Sequence, residues 1–224
     1  MIKNEESFMN KIRSIDLMNT IEILKTKRPV FFSEADFQFA LAWELQKAIA
    51  DAEIRMEFCP AEIDHSMHID ILAKCYNNWF PIELKYMTFE CKAFSNDEKY
   101  LLKSHGAQDI RRYDFLKDIM RIEKLLKADA RYSTGFAILL TNDPAYWIIQ
   151  KKKNTCDSAF RIHEGLILCG ELKWSDNTGK GTNVGREKPV ILQGKYEMCW
   201  KDYSRISDIK GGQFRYLLVE IKSK

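Results

Sequence analysis

Met67-His-Ile-Asp-Ile-Leu-Ala-Lys-Cys75 and Trp79-Phe-Pro-Ile-Glu-Leu-Lys-Tyr86 decide the fold. Each run has strand length and is mostly apolar, and Asn77-Asn78 stands between them. Asparagine tolerates positive φ, so the segment predicts a hairpin closed by a two-residue turn. In that register Tyr76 pairs with Trp79, Asp70 lies opposite Lys85, and Glu83 lies opposite Leu72. Side chains alternate faces along a strand, so Glu83 and Lys85 share one face. Asp70 becomes a diagonal neighbour of Glu83 on that face, roughly 7–8 Å away at the backbone.

Working outward, residues 5–26 predict an amphipathic helix, with Phe8, Ile12, Ile15 and Met18 recurring at three and four residues. Lys27-Arg28-Pro29 ends it, because the residue before proline avoids helical backbone. A second helix is expected over 34–50, capped by Ser33 with Asp36 at the capping-box position. Residues 53–58 alternate weakly as a strand. Downstream, 88–103 predicts a more polar hairpin around Ser95-Asn96-Asp97-Glu98, and 106–128 a long helix. Gly135–Thr141 is a short continuous apolar run, suited to a strand buried on both faces. Beyond it come short strands near 165–173, 189–193, 196–201 and 213–222. Ser175–Pro189, rich in glycine and charge, reads as a mobile loop. The expected fold class is α/β: helix, three strands, helix, strand over 34–141. The expected parts are an N-terminal helix over 1–28, a core over 29–144, and a β-rich C-terminal extension over 145–224.

Composition sets outer bounds. The chain has 224 residues, 46% hydrophobic and 30% charged, a globular balance. Fibrous classes and extensive disorder are excluded. No apolar run approaches the ~18 residues of a membrane helix, and the charged start Met1-Ile-Lys-Asn-Glu-Glu6 is unlike a signal peptide, so a cytoplasmic protein with no membrane partner is expected. Six cysteines lack any Cys-x-x-Cys spacing and read as reduced core residues. A net charge of +3 neither requires nor excludes a nucleic-acid partner.

The chemistry lies on the 67–86 hairpin. Asp70 and Glu83 are carboxylates inside apolar strands, placed to share a hard cation such as Mg²⁺. Phosphodiester hydrolysis needs a metal to gather oxygens and activate a water. Lys85 would then offset phosphate charge or position the water. The plain alternative is a solvated strand face with one cross-strand salt bridge. Glu-x-Lys by itself is weak and occurs four times: Glu83-Lys85, Glu90-Lys92, Glu171-Lys173 and Glu220-Lys222. Only the first has a partner Asp in an apolar strand and a helix and strand still to follow. Glu34 points partly inward from a helix N-terminus, as a ligand or as a charge favoured by the dipole; Glu44 is its weaker rival. Gln108 is placed to orient water or phosphate, or is an ordinary first-turn residue. Arg111 and Arg112 would contact backbone phosphate, or offset Asp109 and Asp114 on a wet face. His65-x-x-His68 beside Asp64 and Asp70 is open to a transition-metal reading, since His68 shares Asp70's face on a strand, but placement behind the site or on the surface suits it better. Gly179-Lys180-Gly181-Thr182 lacks the upstream glycine of a phosphate loop, and Lys151-Lys152-Lys153 reads as a solvated run.

Asp70 with Glu83-Leu84-Lys85 resembles the signature of the PD-(D/E)xK nuclease superfamily, whose restriction-endonuclease-like core has the same element order. Ile69 stands where that superfamily often has proline. Glu34 matches the Glu that many members add in the first helix, and Gln108 the Gln in the second. Gln108-Asp-Ile-Arg-Arg-Tyr113 is similar to the Gln-x-x-x-Tyr motif of the exonuclease branch, with one residue more. Phe31–Gln38, Ile82–Tyr86, Gly106–Leu116 and Leu140–Trp147 together resemble an uncharacterised bacterial branch of the superfamily. The resemblance implies a Mg²⁺-dependent nuclease, with Mn²⁺ as a substitute, hydrolysing DNA. It implies catalytic Asp70, Glu83, Lys85 and Gln108, metal ligands Asp70, Glu83 and Glu34, and DNA contacts from Arg111, Arg112 and Tyr113. It leaves room for a homodimer. The rival readings are a nucleic-acid-binding module that lost catalysis, and an accessory subunit whose interaction surface is 145–224.

Overall fold

The computed structural model describes residues 15–75, 77–152, 154–179 and 181–223. The first ten residues of the helix expected over 5–26 lie outside them. Its end is seen as α1, Leu17–Lys27, capped by Asp16, whose Oδ1 accepts from the Asn19 N–H at 2.9 Å. Helix α2 spans Glu34–Ala48; Ser33 Oγ accepts from the Asp36 N–H at 3.1 Å, and Asp36 pairs with Arg28 at 2.7 Å.

The chain is mixed α/β around a sheet. Strands β1 (Glu53–Phe58), β2 (Ile69–Cys75), β3 (Asn78–Met87) and β6 (Thr134–Thr141) stand side by side in that order, followed by β10 (Gln213–Lys222) and β9 (Trp200–Arg205). β3 and β6 run parallel, and α3 (Gln108–Ala128) connects them, after a separate hairpin of β4 (Cys91–Ser95) and β5 (Glu98–Leu102). A second hairpin, β7 (Ile167–Leu172) and β8 (Val190–Glu197), packs beside α3. No described helix is long and apolar enough to cross a membrane.

Alternation divides the core in two. One face of the sheet carries Ile71, Phe80, Ile82, Tyr86, Phe136 and Ile138 against α1 and α2. The other carries Ala137, Leu139 and Leu217 against Phe115, Ile119 and Ile122 of α3. All eight residues of β6 are buried, as its apolar run requires. Gly135 lets α3 approach closely: a Cβ there would lie 2.3 Å from Ile122 Cγ2 and 3.1 Å from Pro81 Cγ.

The structure corrects several expectations. The β2–β3 register is two residues away from the expected one: Cys75 faces Asn78 and Ile71 faces Ile82, so Asn78 belongs to the ladder and not to the turn. A shift of two leaves every side chain on its expected face. The last two strands of the 145–224 segment complete the same sheet as β3 and β6. The described part of 175–189 is irregular but pinned: Arg186 pairs with Asp114 on α3 at 2.7 Å, and its carbonyl accepts from the Trp174 indole at 2.8 Å. Only Cys75 and Cys91 are fully buried; Cys169 and Cys199 are exposed, and all six are free.

Candidate active site

The site grows out of the point where β2 leaves β3. Their ladder ends at Ile71–Ile82, so the next edge N–H groups of β3 need other acceptors. Leu84 N–H donates to Asp70 Oδ2 at 2.7 Å, and Tyr86 N–H donates to Glu34 Oε2 at 2.7 Å. Two carboxylates, one from β2 and one from the first turn of α2, are thereby fixed against the β3 edge. Gln38, one turn along α2, donates to the Asp70 carbonyl at 2.7 Å and steadies that strand end.

Glu83 and Lys85 point toward α3. Lys85 Nζ lies 3.0 Å from Asp118 Oδ2 and donates to the Leu84 carbonyl at 3.2 Å. Arg121 Nη2 lies 3.2 Å from Glu83 Oε1, and Nη1 donates to Asp118 Oδ1 at 3.1 Å. Arg121 is itself anchored by the His68 carbonyl at 2.5 Å. Glu83 and Asp118 are 2% and 4% exposed, so these charges interact largely outside water. Glu83 Oε1 and Asp118 Oδ2 face their cations at ion-pair distance but not at hydrogen-bonding angles, and accept no hydrogen bond.

The charges do not balance. Among the described residues, Glu34, Asp70, Glu83 and Asp118 face Lys85 and Arg121 as their cations, leaving two surplus negative charges when all six are ionised. Titration reflects this. Burial, then the charges of Asp118 and Asp70, pushes Glu83 well above the carboxylate range. Burial also raises Asp70, against the pull of Lys85, the Leu84 N–H and a hydrogen bond with Glu83. Glu34 is raised by burial, against the Tyr86 N–H and Lys85. For Lys85, burial favours the neutral amine, but Asp118, Asp70 and Glu34 outweigh it and hold the ammonium charged.

The structure therefore brings Asp70, Glu83, Lys85 and Glu34 together, and takes the other expected residues elsewhere. Gln108 donates to Asp143 Oδ2 at 2.9 Å. Arg112 is 7% exposed and turned inward, 3.6 Å from Asp157, with its Nε donating to the Gln108 carbonyl. Tyr113 is core: it packs on Phe160 and Trp174, and its hydroxyl donates to the Lys188 carbonyl. Arg112 and Tyr113 are thus not free to meet a nucleic acid, whereas Arg111 is exposed and lines the cavity beside Lys85. Glu44 is neutralised by Lys27 at 2.6 Å and Lys47 at 3.1 Å. Sequence reasoning missed Asp118 and Arg121. Asp118 does carry a signal, since it falls on the buried stripe of Phe115, Ile119 and Ile122.

A cavity of about 580 Å³ opens beside the cluster, lined by Glu34, Lys85, Phe32, Lys103, His105 and Arg111 among others. His105 Nδ1 accepts from the Thr88 N–H, and burial, then Arg111, holds the imidazole below its usual pKa, so it is a neutral wall near pH 7. Among the described residues no three His, Cys, Asp or Glu side chains form a ready ligand set. The donor chemistry still suits a hard cation: Asp70 and Glu83 supply adjacent carboxylates, and one Glu83 oxygen lacks a hydrogen bond. Mg²⁺ needs no all-protein cage and is commonly held by one or two carboxylates with water and substrate phosphate. Comparison with protein-family models, curated proteins and solved structures finds no match to this chain.

Proposed function

We propose that the chain is a metal-dependent nuclease with a restriction-endonuclease-like core, hydrolysing phosphodiester bonds in DNA. The observation that carries this reading is the largely buried cluster of four carboxylates against two cations, of which Glu34 and Lys85 also line a cavity shared with Lys103 and Arg111. The order α2, β1, β2, β3, α3, β6 supports the fold assignment, with β4–β5 as an insertion. Asp70 and Glu83 would hold Mg²⁺ or Mn²⁺, with Glu34 behind them. Such an ion supplies a nucleophilic water and a contact to phosphate oxygen. Lys85, held protonated by Asp118, Asp70 and Glu34, acts as a cation toward phosphate or as a donor to water, not as a general base. Asp118 positions the Lys85 ammonium, and Glu34 fixes the backbone between Lys85 and the cavity wall.

One observation favours a binding-only module on the same fold: Lys85 and Arg121 lie at ion-pair distance from Asp118 and Glu83, so cations of the chain itself offset these carboxylates. Incubation of single-stranded, duplex and branched DNA with Mg²⁺ or Mn²⁺ separates the two. The nuclease reading expects cleavage by the wild type and none by Glu83→Gln. DNA binding without cleavage under any metal leaves the binding module.

A further inference from the structure

The β4–β5 hairpin has an outward face that the fold does not use. Asn96 and Asp97 at its tip both have positive φ, 51° and 62°, which closes a tight turn and fixes the register. Lys92 then faces Leu101, and Phe94 faces Lys99. Cys91, Tyr100 and Leu102 point into the core, while Lys92, Phe94, Lys99 and Leu101 point out. Phe94 is 68% exposed. No ion pair engages Lys92, Lys99 or Lys103 among the described residues. The acid of β5, Glu98, lies on the inward side and accepts from the Tyr100 hydroxyl at 2.6 Å.

This face runs into the candidate site. Leu101, Leu102 and Lys103 line the cavity that holds Lys85 and Glu34, and also a neighbouring one of about 360 Å³ reached by Lys92. Phe32 lines the first cavity too. One of its ring faces is stacked on Tyr100 at 4.4 Å, and the residue is 53% exposed. Lysines flanking the exposed Phe94 ring on the outward face, with Phe32 beside the cavity where it stacks on the inward Tyr100, match a single nucleic-acid strand. Lysines track its backbone, and rings stack on its bases. A duplex hides its base faces and gains nothing from Phe94 or Phe32.

We propose that this hairpin is the substrate-gripping arm and that the preferred substrate is an unpaired strand, a refinement that rests on the nuclease or nucleic-acid-binding reading above. Fluorescence anisotropy with a labelled single-stranded oligonucleotide and its duplex tests it, without metal to separate binding from cleavage. The wild type should bind the single strand at least about 10-fold more tightly. Phe94→Ala should weaken single-strand binding by about 5–100-fold and leave duplex binding unchanged. Changing Lys92, Lys99 and Lys103 together to Gln should lower the salt slope by about two units. All these positions are exposed, and melting curves check that the variants stay folded. Equal or tighter duplex binding, or Phe94→Ala without effect, overturns the proposal even if Mg²⁺-dependent cleavage is found. Single-strand binding lost in Phe94→Ala sustains it even if no cleavage is found.

Discussion

Helix α3 carries two buried ionic clusters of opposite character. Near its start Arg112 meets one carboxylate, Asp157 at 3.6 Å, lies against the Tyr146 ring and bonds the Gln108 carbonyl. Two turns later Asp118 and Arg121 meet Glu83, Lys85, Asp70 and Glu34, where negative charge is in excess. A one-to-one buried pair serves packing, because neither charge tolerates losing the other. An unbalanced cluster raises carboxyl pKa values, a burden that a fold keeps where a ligand offsets it. We propose that the first cluster serves architecture and the second chemistry, although Arg112 and Glu83 are both charged residues that the fold buries.

The largest expected effect that sharpens this contrast is on cleavage. Glu83→Gln should lower the Mg²⁺-dependent rate by more than about 100-fold, since a buried charged ligand becomes a neutral amide. Next is stability at the balanced pair. Arg112→Ala should cost about 3–5 kcal/mol by stranding Asp157, while the rate per folded molecule is retained. Chemical denaturation with an activity assay reads both. A wild-type midpoint for Arg112→Ala would break the comparison.

A smaller effect of opposite sign is expected at the unbalanced site. Without metal, Glu83→Gln should stabilise the protein near pH 7 by on the order of 1 kcal/mol, or about 2–4 °C in Tm, by removing repulsion from Asp118 and Asp70. The sign follows from linkage. Raised pKa values mean that the folded state binds more protons than the unfolded one, whose carboxyls titrate near 4. Stability from Glu34, Asp70 and Glu83 is thus fullest below about pH 4 and falls as pH rises through their folded values. The Glu83→Gln advantage should therefore shrink as pH is lowered, and Mg²⁺-dependent stabilisation should grow as pH rises above the unfolded carboxyl range near 4. Thermal melts at rising pH check both trends. The smallest effect belongs to Gln108→Leu. It loses one hydrogen bond to Asp143, about 1 kcal/mol, with unchanged cleavage.

Much of the fold was legible because it was local. Apolar alternation marked β2 and β3, Ser33 marked the start of α2, and the continuous run marked β6. The hairpin register differs because Asn77-Asn78 is a strong turn signal, yet Asn78 pairs with Cys75 inside the ladder. The site face survived because the error was an even number of residues. Asp118 and Arg121 were missed because helix charges are usually solvated, and of the two only Asp118 falls on the buried stripe of Phe115, Ile119 and Ile122. Arg112 was assigned to the groove for the same reason, though it lies on the buried side of α3. That β10 pairs with β6 depends on contacts across most of the C-terminal third, for which no local pattern exists.

The central claim is that the surplus of negative charge on the α3 side of β3 exists to hold a divalent cation. Calorimetric titration of Mn²⁺ and Mg²⁺ into the wild type and Glu83→Gln near pH 7, with and without single-stranded DNA, tests it most directly. The account predicts binding by the wild type at millimolar concentration or below, tightened by DNA and abolished in Glu83→Gln. No binding by the wild type even with DNA present, or equal binding by Glu83→Gln, would contradict it.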